Sequence, residues 1–467
     1  MKKEHACPIV ISDETLRKDE TSMLFNGYDI LISFSMQQFQ CNYLDFSLKN
    51  DEETSMTFLF NSTMDTNNVV CPYCSGRVNI YDYETTRLKD IPIWINIPLD
   101  HKIKYHRYQC LQCNKTFAED ICFKYPGTRI TRRAANYIET LLRNGVTVLG
   151  VQRITGIHWD TIKKVHAEMM NADLEERKNH LRKSGYKPKY LAVDEFAIHR
   201  GHTYATCVMD LVEGDIIWVG KGRSMKDFIH FFQETDMDYL SDVKAVAMDM
   251  NTSYNRLVEL YLPNAAIVYD RYHMQAQFGK DVIGAVRLEE AKEHHINAKE
   301  LLKEAVEETD YSVRRELKKQ AKNEMHNYTT LKGARWSLLT KQDNLTDPSR
   351  ESLQSILSSH ERLAICYAMK EEMTELFELK DPEIARERWL KWFDAAKSSN
   401  IPQLEKFALL KEKRIDGLVA HSIHPISTGR LEGLNNKIKV AKRIGYGYRD
   451  DDYFFTLIQH ASIPLKT

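Results

Sequence analysis

The sequence predicts a multidomain α/β protein: an N-terminal metal-binding β module, a helix-turn-helix, and an α/β sheet domain interrupted by an all-helical insertion. Three observations predict it. Two Cys-x-x-Cys pairs, Cys71/Cys74 and Cys110/Cys113, bracket a stretch rich in β-branched residues. After Thr131 the apolar period changes from two to three or four, the change that separates strand from helix. Beyond Tyr190 come three strand-like runs, then alternating helix and strand, then a long stretch with helical spacing alone.

The bulk properties set the frame. At roughly 100 to 200 residues per domain, a chain of 467 residues holds several units. Hydrophobic residues at 43% and charged residues at 28% match soluble globular proteins and exclude a wholly disordered chain. No run of about 18 apolar residues occurs, and the start, MKKEHACPIV, lacks the apolar stretch of a secretory signal, so a cytoplasmic protein with no membrane partner is expected. With a net charge of −1, any affinity for nucleic acid has to rest on local patches. Nine cysteines, odd in number and clustered, suit a reducing compartment with a metal site better than a disulfide framework. Cys7, Cys41, Cys122, Cys207 and Cys366 read as plain thiols.

Residues 1–67 carry short apolar patches (Ile30-Leu31-Ile32, Phe58-Leu59-Phe60) and no assignable role. Residues 68–125 form the metal module, with Ile91-Pro-Ile-Trp-Ile-Asn-Ile reading as strand. Its four thiolates fill the tetrahedral shell of a structural Zn²⁺. The gap of about 35 residues between the pairs exceeds the roughly 15 to 20 of compact zinc motifs, so the insert must fold back on itself. Two unrelated reduced cysteine pairs are the alternative, and His101 or His106 in place of one thiolate a variant.

Residues 126–185 read as a helix-turn-helix and linker. A first helix carries Ala134, Tyr137, Ile138, Leu141 and Leu142 and stops at Asn144-Gly145. A short second helix (Val148 to Ile154), the turn Thr155-Gly156-Ile157 and a third helix from Asp160 to about Met170 follow. In the third, Thr161, Ile162 and Val165 pack inward while Lys163, Lys164 and His166 face out, the arrangement of a helix that enters a major groove. Lys102, Lys104, Arg107, Lys115, Lys124, Arg129, Arg132 and Arg133 add to a phosphate-binding surface. A solvated helical bundle is the alternative reading. Lys178 to Lys189, polar and containing Pro188, reads as the linker.

Residues 186–274 form the first part of the sheet domain. Tyr190 to Ala197, His202 to Asp210 and Ile216 to Val219 read as an antiparallel meander with turns at Arg200-Gly201 and Glu213-Gly214-Asp215. A helix with Phe228, Ile229, Phe231 and Phe232, a strand Val243 to Met248, a helix Tyr254 to Leu260 and a strand Ala265 to Tyr269 complete an order that resembles the RNase H-like arrangement. Residues 275–420 are the helical insertion, with Glu and Lys at helical spacing. Residues 421–467 return to the sheet domain with an N-cap signal at Pro425-Ile426-Ser427-Thr428, a helix to Gly445 and a last helix from Asp451.

Asp194 and Asp249 each close an apolar strand run. Side chains at such ends are held rigidly yet reach solvent, which is where α/β sheets assemble their sites. Phosphoryl transfer by two cations about 3.5 to 4 Å apart needs hard oxygen ligands, which Asp and Glu supply. The third candidate is Glu432, on a helix whose polar face also holds Asn435, Asn436, Lys439 and Arg443, opposite an apolar stripe of Leu431, Leu434, Ile438 and Ala441. A turn or cap role is the bland reading of any strand-end Asp, and it suits Asp210 and Asp215. Asp270, also at a strand end and followed by Arg271 and His273, rivals Asp249; Asp270 and His273 stand as alternate or supporting ligands.

These residues resemble a known family, the ISL-three type of bacterial insertion-sequence transposases with an Asp-Asp-Glu catalytic domain. The resemblance rests on the paired cysteines, Val193-Asp194-Glu195-Phe196-Ala197 with Gly201-His202-Thr203-Tyr204-Ala205-Thr206, Asp270-Arg271-Tyr272-His273, and Glu432-Gly433-Leu434-Asn435-Asn436-Lys437-Ile438-Lys439 running into Lys442-Arg443 and Gly447-Tyr448-Arg449. It implies a cytoplasmic enzyme that binds the terminal inverted repeats of its element through the zinc and helix-turn-helix modules, then cuts double-stranded DNA and joins it to target DNA with Mg²⁺ or Mn²⁺. The acid triad carries over to Asp194, Asp249 and Glu432; Lys439, Lys442 and Arg443, beyond Glu432 on its helix, are expected to hold phosphates near the metals. Synapsis of two ends implies a homodimer or larger assembly. A DNA-binding regulator that has kept only recognition and an RNase H-fold nuclease are the competing readings.

Overall fold

The computed structural model describes residues 39–49, 53–92, 98–199, 203–250, 252–341, 344–445 and 448–463. The chain divides into two compact units, Met1–Asp173 and Leu174–Thr467. Cys7, Gly201, His202 and Gly447 lie outside the described residues.

The first unit holds a five-stranded sheet: β1 (Phe39–Lys49), β2 (Glu53–Ser62), β3 (Val78–Asp90), β4 (Leu99–Cys110) and β5 (Thr116–Ala118). Its order is β1-β2-β4-β3, with β5 pairing β4. The region 1–67, mute in the sequence, supplies two strands among its described residues, and β2 joins the cysteine-bearing sheet by parallel pairing with β4 (Phe58↔His101, Phe60↔Ile103). Phe58 and Phe60 are buried there. The 35-residue insert folds back as the spacing required, through the antiparallel β3/β4 ladder that runs from Asp90↔Leu99 to Val78↔Cys110. The strands are the segments flanking Ile91-Pro92; residues 93–97 of the expected strand lie outside the described residues.

Three helices follow: α1 (Arg132–Arg143), α2 (Val148–Thr155) and α3 (Trp159–Lys183). Thr131 and Thr147 cap the first two by accepting from the amides of Ala134 and Gly150. α2 ends at Gly156, whose φ of 65° is the left-handed cap glycine tolerates. Ala134, Ala135, Ile138, Val151, Ile157, Ile162 and Val165 close one core. α3 differs from expectation. It runs on to Lys183, through the start of the segment read as a linker. Asn171 to Lys183 is charged but made almost wholly of helix formers, with no breaker before Gly185, and Leu181 is buried beneath the solvated charges.

The second unit is built on a sheet of β6 (Tyr190–His199), β7 (Thr203–Asp210), β8 (Ile216–Lys221), β9 (Ala245–Met248) and β10 (Ala266–Tyr269), in the order β10-β9-β6-β7-β8. β6, β7 and β8 form the expected antiparallel meander, while β9 and β10 run parallel to β6. Strand alternation gives the sheet two faces. On one, Leu191, Val193, Val246 and Met248 pack under α4 (Met225–Glu234) and α5 (Thr252–Tyr261) through Phe228, Phe231, Phe232 and Leu257. On the other, Ala192, Phe196, Ala205, Cys207 and Ala247 meet Leu431, Leu434 and Ile438 of α15 (Gly429–Ile444) and Phe454 and Ile458 of α16 (Asp451–Ser462).

Between sheet and α15 the described chain is helical: α6 (Arg271–Phe278), a π-helical turn (Gly279–Gly284), α7 (Ala285–Glu307), α8 (Tyr311–Gly333), α9 (Arg335–Leu339), α10 (Asp347–Ser359), α11 (Glu361–Leu376), α12 (Pro382–Lys397), α13 (Pro402–Glu412) and α14 (Ile415–Ile423). α7 and α8 form a long hairpin, and Phe278, Trp389, Trp392, Phe393 and Phe407 centre the core of the remainder.

Candidate active site and four-cysteine centre

Three acids stand side by side across the parallel part of the sheet: Asp249 and Asp270 directly follow β9 and β10, whereas Asp194, expected at a strand end, lies inside β6, which runs on to His199 and pairs it with Cys207 of β7. β6 pairs with β9 through Ala192↔Ala247, and β9 with β10 through Met248↔Tyr269. Carrying those registers forward sets Asp194 beside Asp249 and Asp249 beside Asp270, on strands about 4.8 Å apart. The Asp270 amide donates to the Met248 carbonyl at 3.0 Å, which holds the register at that point. Alternation puts Asp194 on the face of Ala192 and Phe196, and Asp249 on that of Ala247, so both carboxylates emerge beneath α15.

Asp194 is half-buried. Its Oδ1 accepts from the Glu195 amide at 2.7 Å, and its Oδ2 from Asn435 Nδ2 of α15 at 2.8 Å. Burial pushes its carboxyl above the usual range; the Glu195 amide, His273 and Asn435 oppose this, and the charge of Asp249 adds to it. The other amide atom, Asn435 Oδ1, is buried without a hydrogen-bond partner. An unsatisfied carbonyl-type oxygen on the side chain that holds the Asp194 carboxylate is the kind of hard donor that suits a divalent cation such as Mg²⁺ or Mn²⁺.

Asp270 and Asp249 differ sharply in surroundings. Asp270 is 2% exposed. Its Oδ1 accepts from the amides of Tyr272 (2.8 Å) and His273 (3.0 Å), capping α6, and its Oδ2 accepts from the amide and hydroxyl of Thr428, both at 2.8 Å. Burial alone would raise its carboxyl, but the Thr428 donors and the His273 amide outweigh it and hold it low. Asp249 is exposed and accepts from the Met250 amide at 2.6 Å.

α15 is fixed over these strand ends at several points along its length. Thr428, at its start, is tied to Asp270; Arg430 donates to the carbonyls of Leu211 and Val212; Asn435 holds Asp194; and Lys442 Nζ reaches the Ala197 carbonyl at 2.7 Å. Glu432 lies on this helix, exposed, three residues before Asn435, the spacing at which helical side chains neighbour one another. Among the described residues, the three acids do not gather their oxygens within 4.8 Å as the four thiols do their sulfurs. Lys439 and Arg443 stand exposed on α15, whereas Lys442 is occupied by the backbone. Asp210 and Asp215 serve their turn: Asp210 accepts from the Val212 amide and the Tyr186 hydroxyl, and Asp215 pairs with Arg177.

Sequence reasoning missed two cations here. Lys411, 6% exposed, donates to Gln277 Oε1 at 2.6 Å, and Arg414 donates to the Met250 carbonyl next to Asp249. Burial and Arg414 lower the Lys411 ammonium, while Asp249 and Asp281 oppose that shift. The run Lys411-Glu412-Lys413-Arg414 is visible in the sequence, but nothing local separates it from the solvated charges of the surrounding helices.

In the first unit, the four cysteines converge. All four sulfurs lie within 4.8 Å of one another, with Cys71 to Cys113 at 3.6 Å and Cys74 to Cys110 at 3.5 Å. Thiolates about 2.3 Å from a tetrahedral Zn²⁺ stand about 3.8 Å apart, so the set fits that ion. Both pairs sit in the same turn: the residue after the second cysteine, Ser75 or Asn114, has φ of 59°, and its amide returns to the carbonyl of the first cysteine, Cys71 or Cys110. The amides of Cys113 and Gln112 also donate to Cys110 Sγ and hold its thiol down at about 6. His101 and His106 face carboxylates instead, Asp90 at 2.8 Å and Glu119 at 3.3 Å.

The basic residues expected at DNA divide into groups. Arg133 forms an ion pair with Asp90 at 2.9 Å, and Arg132 Nε donates to the Cys122 carbonyl. Lys164 Nζ caps the Pro126 and Gly127 carbonyls, whereas Lys163 lies over the exposed Trp159 ring at 5.4 Å. Asp90 joins the cysteine sheet to the helices. It also accepts from Thr131 Oγ1 at 2.8 Å; burial would raise its carboxyl, but His101 and Arg133 bring it to about 2.

Residues 191–458 match the DDE transposase family of the ISL3 type. The chain is 31% identical over 398 residues to the transposase for insertion sequence element IS1001 of Bordetella parapertussis, covering 84% of this chain and 88% of that one. It is 26% identical over 308 residues to the transposase for insertion sequence element IS1557 of Mycobacterium tuberculosis, covering 64% and 65%. No helix among the described residues is long and apolar enough to cross a membrane. With the match spanning more than half of its length, the chain belongs to the ISL3 family of DDE transposases.

Proposed function

We propose that the chain binds the terminal inverted repeats of its own insertion sequence and cuts and joins DNA at Asp194, Asp249 and Glu432 on an RNase H-like domain. The observation that carries the reading is the Asn435–Asp194 bond: it ties the helix of Glu432 to the sheet at Asp194, beside the end of β9 where Asp249 emerges. The sheet order, a meander flanked by two parallel strands, supports the RNase H-like assignment. Asp249 is preferred to Asp270 because four donors occupy Asp270, leaving it to position α6 and α15 rather than a cation.

Bound Mg²⁺ or Mn²⁺ would supply Lewis-acid activation of a water and charge stabilisation of the leaving 3′ oxygen. Asp194, Asp249 and Glu432 would hold the cations, with Asn435 orienting Asp194 and offering Oδ1. Lys439 and Arg443 would bind phosphates alongside. The 3′-hydroxyl released by hydrolysis would then attack a target phosphodiester, displacing a 3′ oxygen in turn. The four cysteines would hold one structural Zn²⁺, and residues 68–125 and 126–185 would recognise duplex DNA, with Lys163 the best placed of the expected contacts. Synapsis of two ends would use at least a homodimer. The test is cleavage of a labelled terminal-repeat duplex with and without Mg²⁺: metal-dependent nicking at the element end is expected. Specific binding without cleavage would favour a DNA-binding regulator, and cleavage without regard to the repeat would favour a general nuclease.

A further inference from the structure

A cavity of about 960 Å³ opens among α6, the π-helical turn, α7, α9 and α11. Six cations line it, Arg271, Lys280, Arg287, Arg335, Lys341 and Lys370, against one carboxylate, Glu371. Internal pairing accounts for part of that charge: Lys370 with Glu371 at 2.7 Å, and Arg271 with Glu378 at 2.6 Å. Among the described residues no carboxylate pairs with Lys280, Arg287 or Arg335. Arg287 is the telling case. It is 7% exposed, its NH1 rests on the carbonyls of Leu331 and Lys332 at 2.8 Å, and its Nε has no hydrogen-bond partner. Burial and the charge of Arg335 both weigh against its protonated form. A buried cation in that condition is costly unless an anion completes the site.

The remaining walls say which anion. Ile283, Leu288 and Leu339 give an apolar side, and Tyr272, 52% exposed, presents a ring with the Arg271 guanidinium 5.5 Å from its centre. Cations interleaved with an exposed aromatic ring suit a phosphodiester strand with a stacked base. Position is the last element. Tyr272 lies in the first turn of α6, whose cap Asp270 accepts its amide and stands next to Asp249, so the cavity begins where α6 leaves the carboxylates.

We propose that this cavity binds an unpaired segment of the DNA strand next to the cleavage point, with phosphates on Lys280, Arg287 and Arg335 and a base against Tyr272. The assignment rests on the transposase reading of the carboxylate site. It is tested on the zinc-loaded full chain by fluorescence anisotropy, with a labelled single-stranded oligodeoxythymidine and a labelled terminal-repeat duplex as probes. Lys280→Glu with Arg335→Glu is expected to weaken single-strand binding by at least about tenfold and to flatten its log–log salt dependence by about 0.7 for each phosphate that is no longer neutralised. Tyr272→Ala should weaken it by about fivefold or more. Duplex affinity should move less than about twofold.

Unchanged single-strand binding, or an equal loss on the duplex, overturns the proposal. Competition by micromolar inorganic phosphate or thymidine monophosphate also overturns it, because the ligand is then a small phosphate compound. Retained single-strand binding by a wild-type protein that ignores its terminal repeat would sink the transposase reading and leave the cavity assignment standing.

Discussion

Asp194 and Asp270 are neighbours in kind but opposite in electrostatics. The carboxyl of Asp194 is raised by burial and by Asp249, so its ionised form costs the folded state stability. That cost is present at pH above the folded value and vanishes as the carboxyl protonates on acidification. Asp194→Asn removes it, and Asn435 can turn its unpartnered Oδ1 toward the new amide. The variant should therefore melt higher than wild type at neutral pH, with the gap closing as pH falls through the folded value, while losing metal-dependent cleavage; calorimetry across pH checks it, and a lower Tm at neutral pH counts against the account. Asp270 runs the other way. Its carboxyl is held low, so it stabilises above the usual carboxylate value and the contribution is lost as pH falls through the folded one. Asp270→Ala removes a helix cap, about 1 kcal/mol, and strands the Thr428 amide and hydroxyl, about 1–3 kcal/mol. Denaturant melts should show a loss of about 2–4 kcal/mol.

At the scale of elements, α15 was legible because its signal is local, an apolar stripe whose Leu431, Leu434 and Ile438 are buried; Thr428 stands at the N-cap position, but its hydroxyl donates to Asp270 rather than capping the helix. The strand-end position of Asp249 was legible in the same way, whereas β6 continues past Asp194 to His199 because Glu195 to His199 keep pairing with β7. The role of Asp270 was not legible, since its partner Thr428 lies 158 residues away and no local pattern encodes that contact. Lys411 was hidden for the same reason. β2 escaped because its parallel pairing with β4 spans about 40 residues of sequence, and the end of α3 because charge on a helix surface resembles charge in a linker. The same long reach appears in Asp90, which ties β3 and β4 to α1 through His101, Arg133 and Thr131. Asp90→Asn leaves buried partners unmatched and should destabilise the first unit by about 3–5 kcal/mol, toward the lower end because Arg133 is partly exposed. In the wild type, the Asp90 contribution is present above the ordinary carboxylate value and fades as pH falls toward about 2. Thermal melts at neutral pH measure the first effect, and a difference under about 1 kcal/mol contradicts the assignment.

At the scale of the whole molecule, one compact unit carries the four-cysteine cluster and the other the sheet with Asp194, Asp249 and Asp270. One Zn²⁺ per chain is expected by elemental analysis, because four sulfurs 3.5 to 3.6 Å apart in their closest pairs fit one tetrahedral ion. Stripping it with a chelator, or Cys110→Ser, should unfold the cysteine sheet and abolish end binding, since the binding energy of a structural zinc is folding energy; end binding that survives zinc removal contradicts this. The central claim is that Glu432, carried by α15, completes the acid set of Asp194 and Asp249. Cleavage of a labelled terminal-repeat duplex by Glu432→Gln tests it most directly, with end binding measured on the same preparation. Unchanged binding with a loss of Mg²⁺-dependent cleavage of more than about a hundredfold is expected; cleavage and strand transfer at the wild-type rate would rule out Glu432 as the third acid.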